Sequence, residues 1–334
     1  MNDGLEGLGD GTVLALSGGV GGAKLAAGLA DIVPAGRLAI CANVADDFEH
    51  LGLHVAPDID SLLYGLSGRN DEERGWGRRG ESWQFMAALR ELGAETWFNL
   101  GDLDLATHVA RSHRLRHGET LSQVTADFAR AYGIEAALFP VSDDPVRTIV
   151  LTDEGEMPFQ HYFVARQCAP KVSGFRYDGA TQAALLPALA ACCTDGLAAI
   201  VLCPSNPFIS IDPSLAVPGL RDLLRNSGAP VVAVSPIVGG EALKGPAAKM
   251  LREQGFECSA LGIARHYGDL IDGMIVDADD AALVAAIEDL GLAVAAVPSV
   301  MRSAADRSAL ARACLALAGR IGGAGSDVQV ALSE

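Results

Sequence analysis

The 334-residue sequence is poor in aromatic residues and in positive charge, and each shortage excludes a class of protein. Aromatic residues make up 5% of a chain that is 50% hydrophobic, the excess being alanine, leucine and valine. This composition favours helices packed on buried parallel strands over an all-β sandwich. The 25 lysine and arginine residues stand against 42 acidic ones, which gives a formal charge of −17. Because the basic residues do not cluster, we expect no binding of nucleic acid or of anionic membranes.

The sequence also lacks long apolar runs and a signal peptide. Its most apolar stretches, such as residues 183–193, are shorter than the ~20 residues that cross a bilayer. Residues 1–11 are acidic and glycine-rich, without the basic flank and apolar centre of a secretory signal. The seven cysteines include no C-x-x-C pair and several lie in apolar segments, so we interpret them as buried thiols. These absences predict a cytoplasmic protein.

Short apolar runs alternate with longer helical patterns along most of the chain, as is typical of parallel strands joined by crossover helices. The predicted strands are residues 12–16, 37–42, 96–99, 135–139, 198–202, 230–234, 273–276 and 293–297. The predicted helices are residues 23–32, 59–67, 82–92, 103–115, 121–132, 246–254, 281–290 and 304–319. We therefore predict an α/β fold with a doubly wound, mainly parallel, Rossmann-like sheet.

One segment departs from this alternation. Residues 147–152 and 157–163, joined by Asp153-Glu154-Gly155, have the pattern of a β-hairpin. We interpret residues 140–180 as a small subdomain inserted between the two halves of the sheet. Because no linker and no repeat occurs, residues 12–334 are predicted to form a single domain.

The first candidate site is the loop between the first predicted strand and the first helix. It reads Ser17-Gly18-Gly19-Val20-Gly21-Gly22 and lies where backbone N–H groups and a helix N-terminus can bind a phosphate. The loop does not fit G-x-G-x-x-G, and Lys24 is followed by Leu25 where a P-loop carries Ser or Thr. From these residues alone, an anion site and a plain tight turn both stay open.

Acidic residues follow the second predicted strand, at the end where ligands of open α/β sheets bind. Asp46 and Asp47 come first, and Asp58 and Asp60 follow soon after. One or two of these carboxylates suit Mg²⁺, with substrate phosphates and water completing an octahedron. The alternative is structural, with Asp58 capping a helix and the first two aspartates solvated in a loop.

A further polar segment follows the third predicted strand. It runs from Asn99 to Asp104 and leads into a helix that carries His108 and Arg111. Asp102 is a candidate for chemistry here, although it also suits a helix cap.

Two more polar loops follow later predicted strands. Residues 203–211 include Ser205 and Asn206, and residues 234–246 include Ser235 and Lys244, whose ammonium group can reach a phosphate. Either loop alone is explained as an elaborate turn. Because the carboxyl ends of parallel strands meet at one edge, the five loops together favour a nucleotide-type anion site.

Taken in order, these motifs resemble those of the 2-phospho-L-lactate transferases of coenzyme F420 biosynthesis, including the phosphoenolpyruvate transferase variants. The matching segments are residues 17–25, 46–47, 52–53, 57–60, 75–77, 100–104, 204–207 and 234–237. They extend over about residues 13–280, and this co-linearity is more specific than any single motif.

The resemblance implies a reaction. A phosphorylated three-carbon acid (2-phospholactate, phosphoenolpyruvate or 3-phosphoglycerate) moves from its guanosine diphosphate conjugate to the deazaflavin alcohol Fo, and GMP is released with the help of Mg²⁺. The expected partners are therefore this guanylylated phosphoacid and Fo. A homodimer is the expected assembly.

The resemblance also suggests roles for residues. Asp46 and Asp47 are our candidates for binding Mg²⁺ and for catalysis. Asp60 and Asn99 occupy the positions that contact Fo, and Asp60 is also a candidate to orient or deprotonate the attacking hydroxyl. The expected nucleotide-binding residues are Ser17, Gly18, Gly19, Gly21, Gly22, Lys24, Ser205, Asn206, Ser235 and Lys244.

Two other classes of function stay open. Sugar-nucleotide-binding regulatory proteins of the gluconeogenesis-factor type share the glycine loop, but we expect them to lack residues 57–60 and 102–104 together. A Rossmann dehydrogenase would need a cleaner glycine fingerprint and an acidic residue at the end of the second strand.

Overall fold

A computed structural model describes residues 8–243 and 245–331, without the side chains beyond residue 323. The strands in chain order are β1 (Thr12–Ser17), β2 (Leu38–Ala42), β3 (Phe48–His50), β4 (Leu53–Val55), β5 (Ala137–Pro140), β6 (Arg147–Thr152), β7 (Gly155–Pro158), β8 (Val172–Asp178), β9 (Leu197–Leu202), β10 (Val231–Val234), β11 (Ile237–Val238), β12 (Glu241–Ala242), β13 (Gly273–Asp277) and β14 (Ala293–Val297). The α-helices are α1 (Gly19–Ile32), α2 (Pro57–Leu66), α3 (Gln84–Glu91), α4 (Asp102–Arg116), α5 (Leu121–Ala131), α6 (Pro187–Thr194), α7 (Asp212–Leu215), α8 (Leu220–Asn226), α9 (Ala247–Glu253), α10 (Ala260–Tyr267), α11 (Val284–Glu288) and α12 (Ala304–Ala331).

Seven strands form one sheet in the order β14-β13-β10-β9-β1-β2-β5, and every neighbouring pair is parallel. The order reverses between β1 and β9, because β2 and β5 extend to one side and the later strands to the other. The predicted doubly wound α/β sheet is therefore confirmed. Ligands of such sheets bind at the carboxyl ends of the strands beside this reversal.

The central strands are buried on both faces, which accounts for their nearly continuous apolar sequences. Leu14 and Ala15 of β1 point to opposite faces of the sheet, and both are fully buried. α12 packs across β9, β10, β13 and β14 and lies against α1. Gly28 permits that contact, because a Cβ at this position would lie 2.3 Å from the carbonyl oxygen of Arg307.

Residues 96–99 are not a strand, so that prediction was wrong. Trp97 and Phe98 pack instead against Phe48, with ring centroids 5.8 and 4.9 Å apart, and against His50 at 5.1 and 5.9 Å. The apolar run thus serves an aromatic cluster beside the unpredicted β3–β4 hairpin. β5 occupies the sheet edge next to β2.

Three antiparallel strands in the order β7-β6-β8 lie between β5 and β9 in the chain. The predicted hairpin is present as β6 and β7, but its second strand ends at Pro158 and a π-helical turn follows. Lys249 of α9 donates to the carbonyl of Pro170 at 2.7 Å, and the N–H of Val172 donates to Glu253 at 2.8 Å. The inserted sheet is therefore attached to α9.

The described residues include no helix that combines the length and the hydrophobicity needed to span a membrane.

Candidate active site

The glycine loop that connects β1 to α1 packs closely against neighbouring segments. α1 begins at Gly19, whose φ of +65° lies in the left-handed region that favours glycine. A Cβ on Gly18 would lie 2.6 Å from Oδ2 of Asp58, and a Cβ on Gly22 would lie 2.6 Å from Oγ of Ser205. The glycines therefore allow α2 and the loop after β9 to pack directly against this turn.

Two backbone N–H groups of this loop already donate within the protein. The N–H of Gly18 donates to Oγ of Ser205 at 3.1 Å, and this hydroxyl in turn donates to the carbonyl of Gly18 at 2.8 Å. The N–H of Gly19 donates to Oδ1 of Asp58 at 2.6 Å. Gly21 is equally confined, because a Cβ there would lie 2.8 Å from the carbonyl oxygen of Pro204. Ser205 thus fixes the loop that it was expected to join in binding a nucleotide.

Asp58 connects three segments at the carboxyl edge of the sheet, which we call the rim. Its Oδ2 accepts from the amide of Asn43 at 2.8 Å, and the same amide donates to the carbonyl of Ile209 at 3.1 Å. α2 begins at Pro57 with Ala56 as its N-cap, so the interpretation of Asp58 as a helix cap was wrong. Burial, opposed by hydrogen bonds from Asn43 and Gly19, raises the pKa of Asp58 to about 6.

Asp46 and Asp47 follow β2 and are 5% and 2% exposed, so they are not solvated loop residues. Oδ2 of Asp47 pairs with Nε2 of His54 at 3.0 Å. The Oδ1 atom of each aspartate is buried without a hydrogen-bond partner among the described residues. Burial, and then the charges of Asp58 and Asp47, raises the pKa of Asp46 well above its usual range, and burial also raises the pKa of Asp47. Each of these two buried carboxylates therefore has an open oxygen that can bind a cation.

A second acidic cluster lies where α2 faces α4. Arg111 is fully buried and binds both oxygens of Asp60, with Nη1 3.1 Å from Oδ2. The ring of His108 lies between two carboxylates, with Nδ1 3.5 Å from Asp60 and Nε2 3.3 Å from Asp104. The hydroxyl of Tyr64 donates to Asp104 at 2.5 Å. These two aspartates and His108 are close enough to hold a metal, but Arg111 and Tyr64 already neutralise or bind the carboxylates.

The charges of this second cluster stabilise one another. Burial opposes ionisation of Asp104, but the hydrogen bond and charge of His108, assisted by Tyr64, lower its pKa overall. Burial likewise opposes the cationic form of Arg111, but the charge of Asp60 raises its pKa overall. His108 and Arg111 had no predicted role. The signal was their i,i+4 and i,i+7 spacing from Asp104, which places all three on one face of α4.

The helix-cap alternative for Asp102 holds for a different helix from the one expected. Asp102 is the first residue of α4, but its carboxylate caps α3. It accepts the N–H groups of Gln84 at 3.1 Å and of Phe85 at 3.0 Å, at the start of that helix. Glu81 performs the corresponding task for α4, since it accepts the N–H groups of Leu103 and Asp104.

Three further predicted site residues, Asn99, Asn206 and Ser235, lie outside helices and strands. Asn99 is exposed in the irregular segment next to Phe98. Oδ1 of Asn206 accepts the N–H of Phe208 at 3.0 Å, and Oγ of Ser235 donates to the carbonyl of Ile237 at 2.8 Å. Both side chains therefore shape their own loops, and their nucleotide contacts stay predictions.

Of the two predicted lysines, Lys24 lies in the described part of the chain. Nζ of Lys24 lies 3.0 Å from the carbonyl oxygen of Met301, in the segment that leads into α12. Lys244 lies outside the described residues.

The chain is similar to known proteins along most of its length. The family model of 2-phospho-L-lactate transferase CofD matches residues 13–294. A phosphoenolpyruvate transferase of Kitasatospora aureofaciens is 40% identical over 316 residues, which cover 92% of this chain and 98% of the relative. A 2-phospho-L-lactate transferase of Methanosarcina mazei is 36% identical over 291 residues, which cover 87% and 95%.

Solved structures extend the similarity to the fold. A crystal structure of a UPF0052 family member from Bacillus halodurans matches with a TM-score of 0.61 and 16% identity, covering 92% of this chain and 99% of that one. At this identity the match shows a shared fold alone.

Proposed function

The chain belongs to the 2-phospho-L-lactate transferase CofD family, and from this premise we propose that it transfers a phosphorylated three-carbon acid from its guanosine diphosphate conjugate to the deazaflavin alcohol Fo. The terminal hydroxyl of Fo attacks the phosphorus that bears the acid. The bond from this phosphorus to the bridging oxygen breaks, GMP leaves with that oxygen, and the hydroxyl proton is released. The product is a phosphodiester between Fo and the acid.

The observation that supports this reaction is the pair of open carboxylate oxygens at the rim. Oδ1 of Asp46 and Oδ1 of Asp47 are buried and lack a partner among the described residues. Both aspartates interact electrostatically with Asp58, which accepts the N–H of Gly19 in the glycine loop. Mg²⁺ is typically bound by one or two carboxylates together with substrate phosphates and water, so we propose that these two residues hold it. When bound, Mg²⁺ would neutralise charge that develops on a diphosphate as GMP departs.

We propose that Asp60 binds the acceptor substrate, Fo. Arg111 fixes its carboxylate against α4, and Nδ1 of His108 lies 3.5 Å from it. Since its carboxylate is held in place, Asp60 is suited to orient the Fo hydroxyl by accepting its hydrogen bond. Asn99, exposed beside the aromatic cluster, is proposed to contact the same substrate.

The donor nucleotide is proposed to bind on the other side of the rim. The N-terminus of α1 offers a positive dipole end, and Lys24, Lys244 and the loops after β9 and β10 complete the predicted set. Because Asp58 accepts the N–H of Gly19, a phosphate would use the N–H groups that follow in the first turn. We propose a homodimer that acts on small molecules.

Single-turnover product analysis tests the reaction. The enzyme would be mixed with Fo, Mg²⁺ and each of the guanylylated acids of 2-phospholactate, phosphoenolpyruvate and 3-phosphoglycerate, and followed by phosphorus NMR and mass spectrometry. We expect GMP and a phosphodiester of Fo with at least one acid. Formation of Fo-GMP would disprove attack at the acid-bearing phosphorus. Nucleotide bound without turnover of any donor would favour a regulatory nucleotide-binding protein.

A further inference from the structure

His54 holds one of the two oxygens of Asp47. Its Nε2 lies 3.0 Å from Oδ2, and the Asp47 side chain is 1% exposed against 23% for the histidine. An ionised carboxylate can only accept hydrogen bonds, so Nε2 is the donor to the ionised form of Asp47. The partnerless oxygen of Asp47 is Oδ1, as judged from the described part of the chain. The two oxygens of one buried carboxylate therefore have different roles.

The β3–β4 hairpin, which carries His54, is attached to α4. His54 lies on β4 opposite Glu49 of β3, and its backbone N–H donates to Oγ of Ser112 at 2.7 Å. That hydroxyl donates at 2.6 Å to the carbonyl of His108 within α4. The backbone of His54 is thus attached to α4 while its ring reaches Asp47. This arrangement sets the position of Nε2 before any ligand arrives.

A buried carboxylate with one fixed oxygen has little freedom to rotate. Without the bond from Nε2, Oδ2 would also lack a donor, and the group would turn to seek one at the expense of its present direction. With the bond, Oδ1 stays directed away from His54. Outer groups of this kind orient metal-binding carboxylates, and removing one typically lowers metal affinity by 10–100-fold.

We propose that His54 is a positioning residue for a divalent cation: by binding Oδ2 of Asp47, it presents Oδ1 to an ion shared with Asp46. This inference rests on the Mg²⁺ site of the proposed function. It adds a requirement for a donor at one defined atom, which the two aspartates alone do not imply.

Three substitutions of His54 distinguish the contribution of the Nε2 hydrogen-bond donor from that of the flat ring. In His54→Gln the side-chain amide nitrogen can reach the place of Nε2, whereas in His54→Asn it reaches only the place of Nδ1. His54→Phe keeps a flat ring without any donor. His113→Phe is the matched control, because His113 is an exposed histidine on α4.

Mn²⁺ replaces Mg²⁺ in oxygen-rich sites and is visible by electron paramagnetic resonance. Metal-free protein would be titrated with Mn²⁺ alone and with Mn²⁺ plus GDP, and urea unfolding would show that each variant is folded. We expect His54→Phe and His54→Asn to raise the Kd for Mn²⁺ by about 10–100-fold. His54→Gln and His113→Phe should stay close to the wild-type Kd.

The outcomes separate this inference from the metal site. If His54→Phe bound Mn²⁺ as tightly as wild type, the role of His54 would be disproved and the metal site would stand. A loss in His54→Gln as large as that in His54→Phe would also contradict a role through Nε2. If wild type bound no Mn²⁺ under either condition, the proposed metal site and this inference would both be overturned.

Discussion

Asp58, Asp60 and Asp104 each accept hydrogen bonds or ion pairs at both oxygens, from Asn43 and Gly19, from Arg111, and from Tyr64 and His108. Asp46 and Asp47 differ, because each keeps one buried oxygen without a partner in the described ranges. Both oxygens of each of the first three aspartates are therefore used inside the protein. Asp46 and Asp47 each keep one oxygen that can bind a cation from outside.

We expect Asp46→Asn or Asp47→Asn to lower turnover by at least ~10²-fold, the order lost when one strong electrostatic stabiliser is removed. The amide keeps the shape of the side chain but removes the charge that attracts Mg²⁺. Initial rates with and without EDTA measure the effect, and added Mg²⁺ should restore the treated wild type. Asp289→Asn, at an exposed position, is the control and should keep full activity. Full activity of metal-free wild type would contradict the prediction.

Asp60→Ala should act on stability as well as on binding. Arg111 is fully buried, so loss of its ion-pair partner leaves a buried charge without its hydrogen bonds, which costs about 3–5 kcal/mol of unfolding free energy. Urea unfolding measures this loss, and Asp60→Ala/Arg111→Met should recover part of it.

The double variant then isolates the role of Asp60 toward the acceptor. Fluorescence titration should show that Asp60→Ala/Arg111→Met still binds Fo weakly, while calorimetry should show nearly unchanged affinity for GDP. Recovery of Fo binding together with stability would mean that Asp60 only supports the fold.

At the scale of elements, the β1–α1 turn depends on the absence of side chains. In Gly22→Ala the new Cβ would lie 2.5 Å from Oγ of Ser17 and 2.6 Å from Oγ of Ser205. We expect a loss of about 1–3 kcal/mol in unfolding free energy, together with weaker GDP binding, because the turn must open.

Gly323→Ala is the matched control for this substitution, since nothing lies within 4 Å of a Cβ at that exposed position of α12. It should leave stability unchanged or raise it by about 0.5–1 kcal/mol, since alanine favours a helix. Chemical denaturation of both variants measures the difference. Equal effects of the two substitutions would contradict a packing role for Gly22.

The elements differ in how far the sequence predicts them. β1, β9 and β10 are apolar on both faces, so their composition alone identifies them as buried parallel strands. Residues 96–99 have the same local pattern, and only the packing of Trp97 and Phe98 on the β3–β4 hairpin shows that they are not a strand. Local pattern reports hydrophobicity, whereas pairing depends on distant neighbours.

The candidate site shows the same limit. Asp46 and Asp47 are candidates because they follow the second strand at the carboxyl edge of the sheet, and Asp60 is a candidate because it matches a family motif; their roles stay predictions. The contacts of His54 and Arg111 could not be predicted, because they depend on how the β3–β4 hairpin and α4 approach α2 and the loop after β2. A sequence pattern identifies residues with the right chemistry, but their partners are set by tertiary packing.

At the scale of the whole molecule, the buried carboxylates make folding depend on pH. Burial raises the pKa of Asp58 from its ordinary value of 3.8 to about 6, so the folded state binds this proton more tightly than the unfolded state. Its contribution to stability is fully present below about pH 4 and is lost as pH rises to about 6. Asp46 and Asp47 act in the same direction, whereas the lowered pKa of Asp104 acts in the opposite one.

We therefore expect metal-free wild type to lose more unfolding free energy, or to gain less, between pH 4 and pH 7 than Asp58→Asn does. The difference between the two changes should be about 2 kcal/mol, since one pKa unit is worth about 1.4 kcal/mol and part of the effect is already lost at pH 4. Urea denaturation at both pH values measures it, and the variant's own loss of hydrogen bonds cancels in the comparison. Parallel pH profiles would contradict the prediction.

The strand order has a consequence for synthesis on the ribosome. β1 lies at the centre of the sheet, yet one of its two neighbours is β9, and Val13 pairs with Ala199 at a separation of 186 residues. At roughly 5–20 residues per second, the ribosome needs about 10–40 s to make the chain between them. During that time β1 and β2 can pair, but one edge of β1 stays open and apolar. The nascent chain therefore exposes the future centre of its sheet to aggregation, and binding by a chaperone over this interval should raise the yield of native protein.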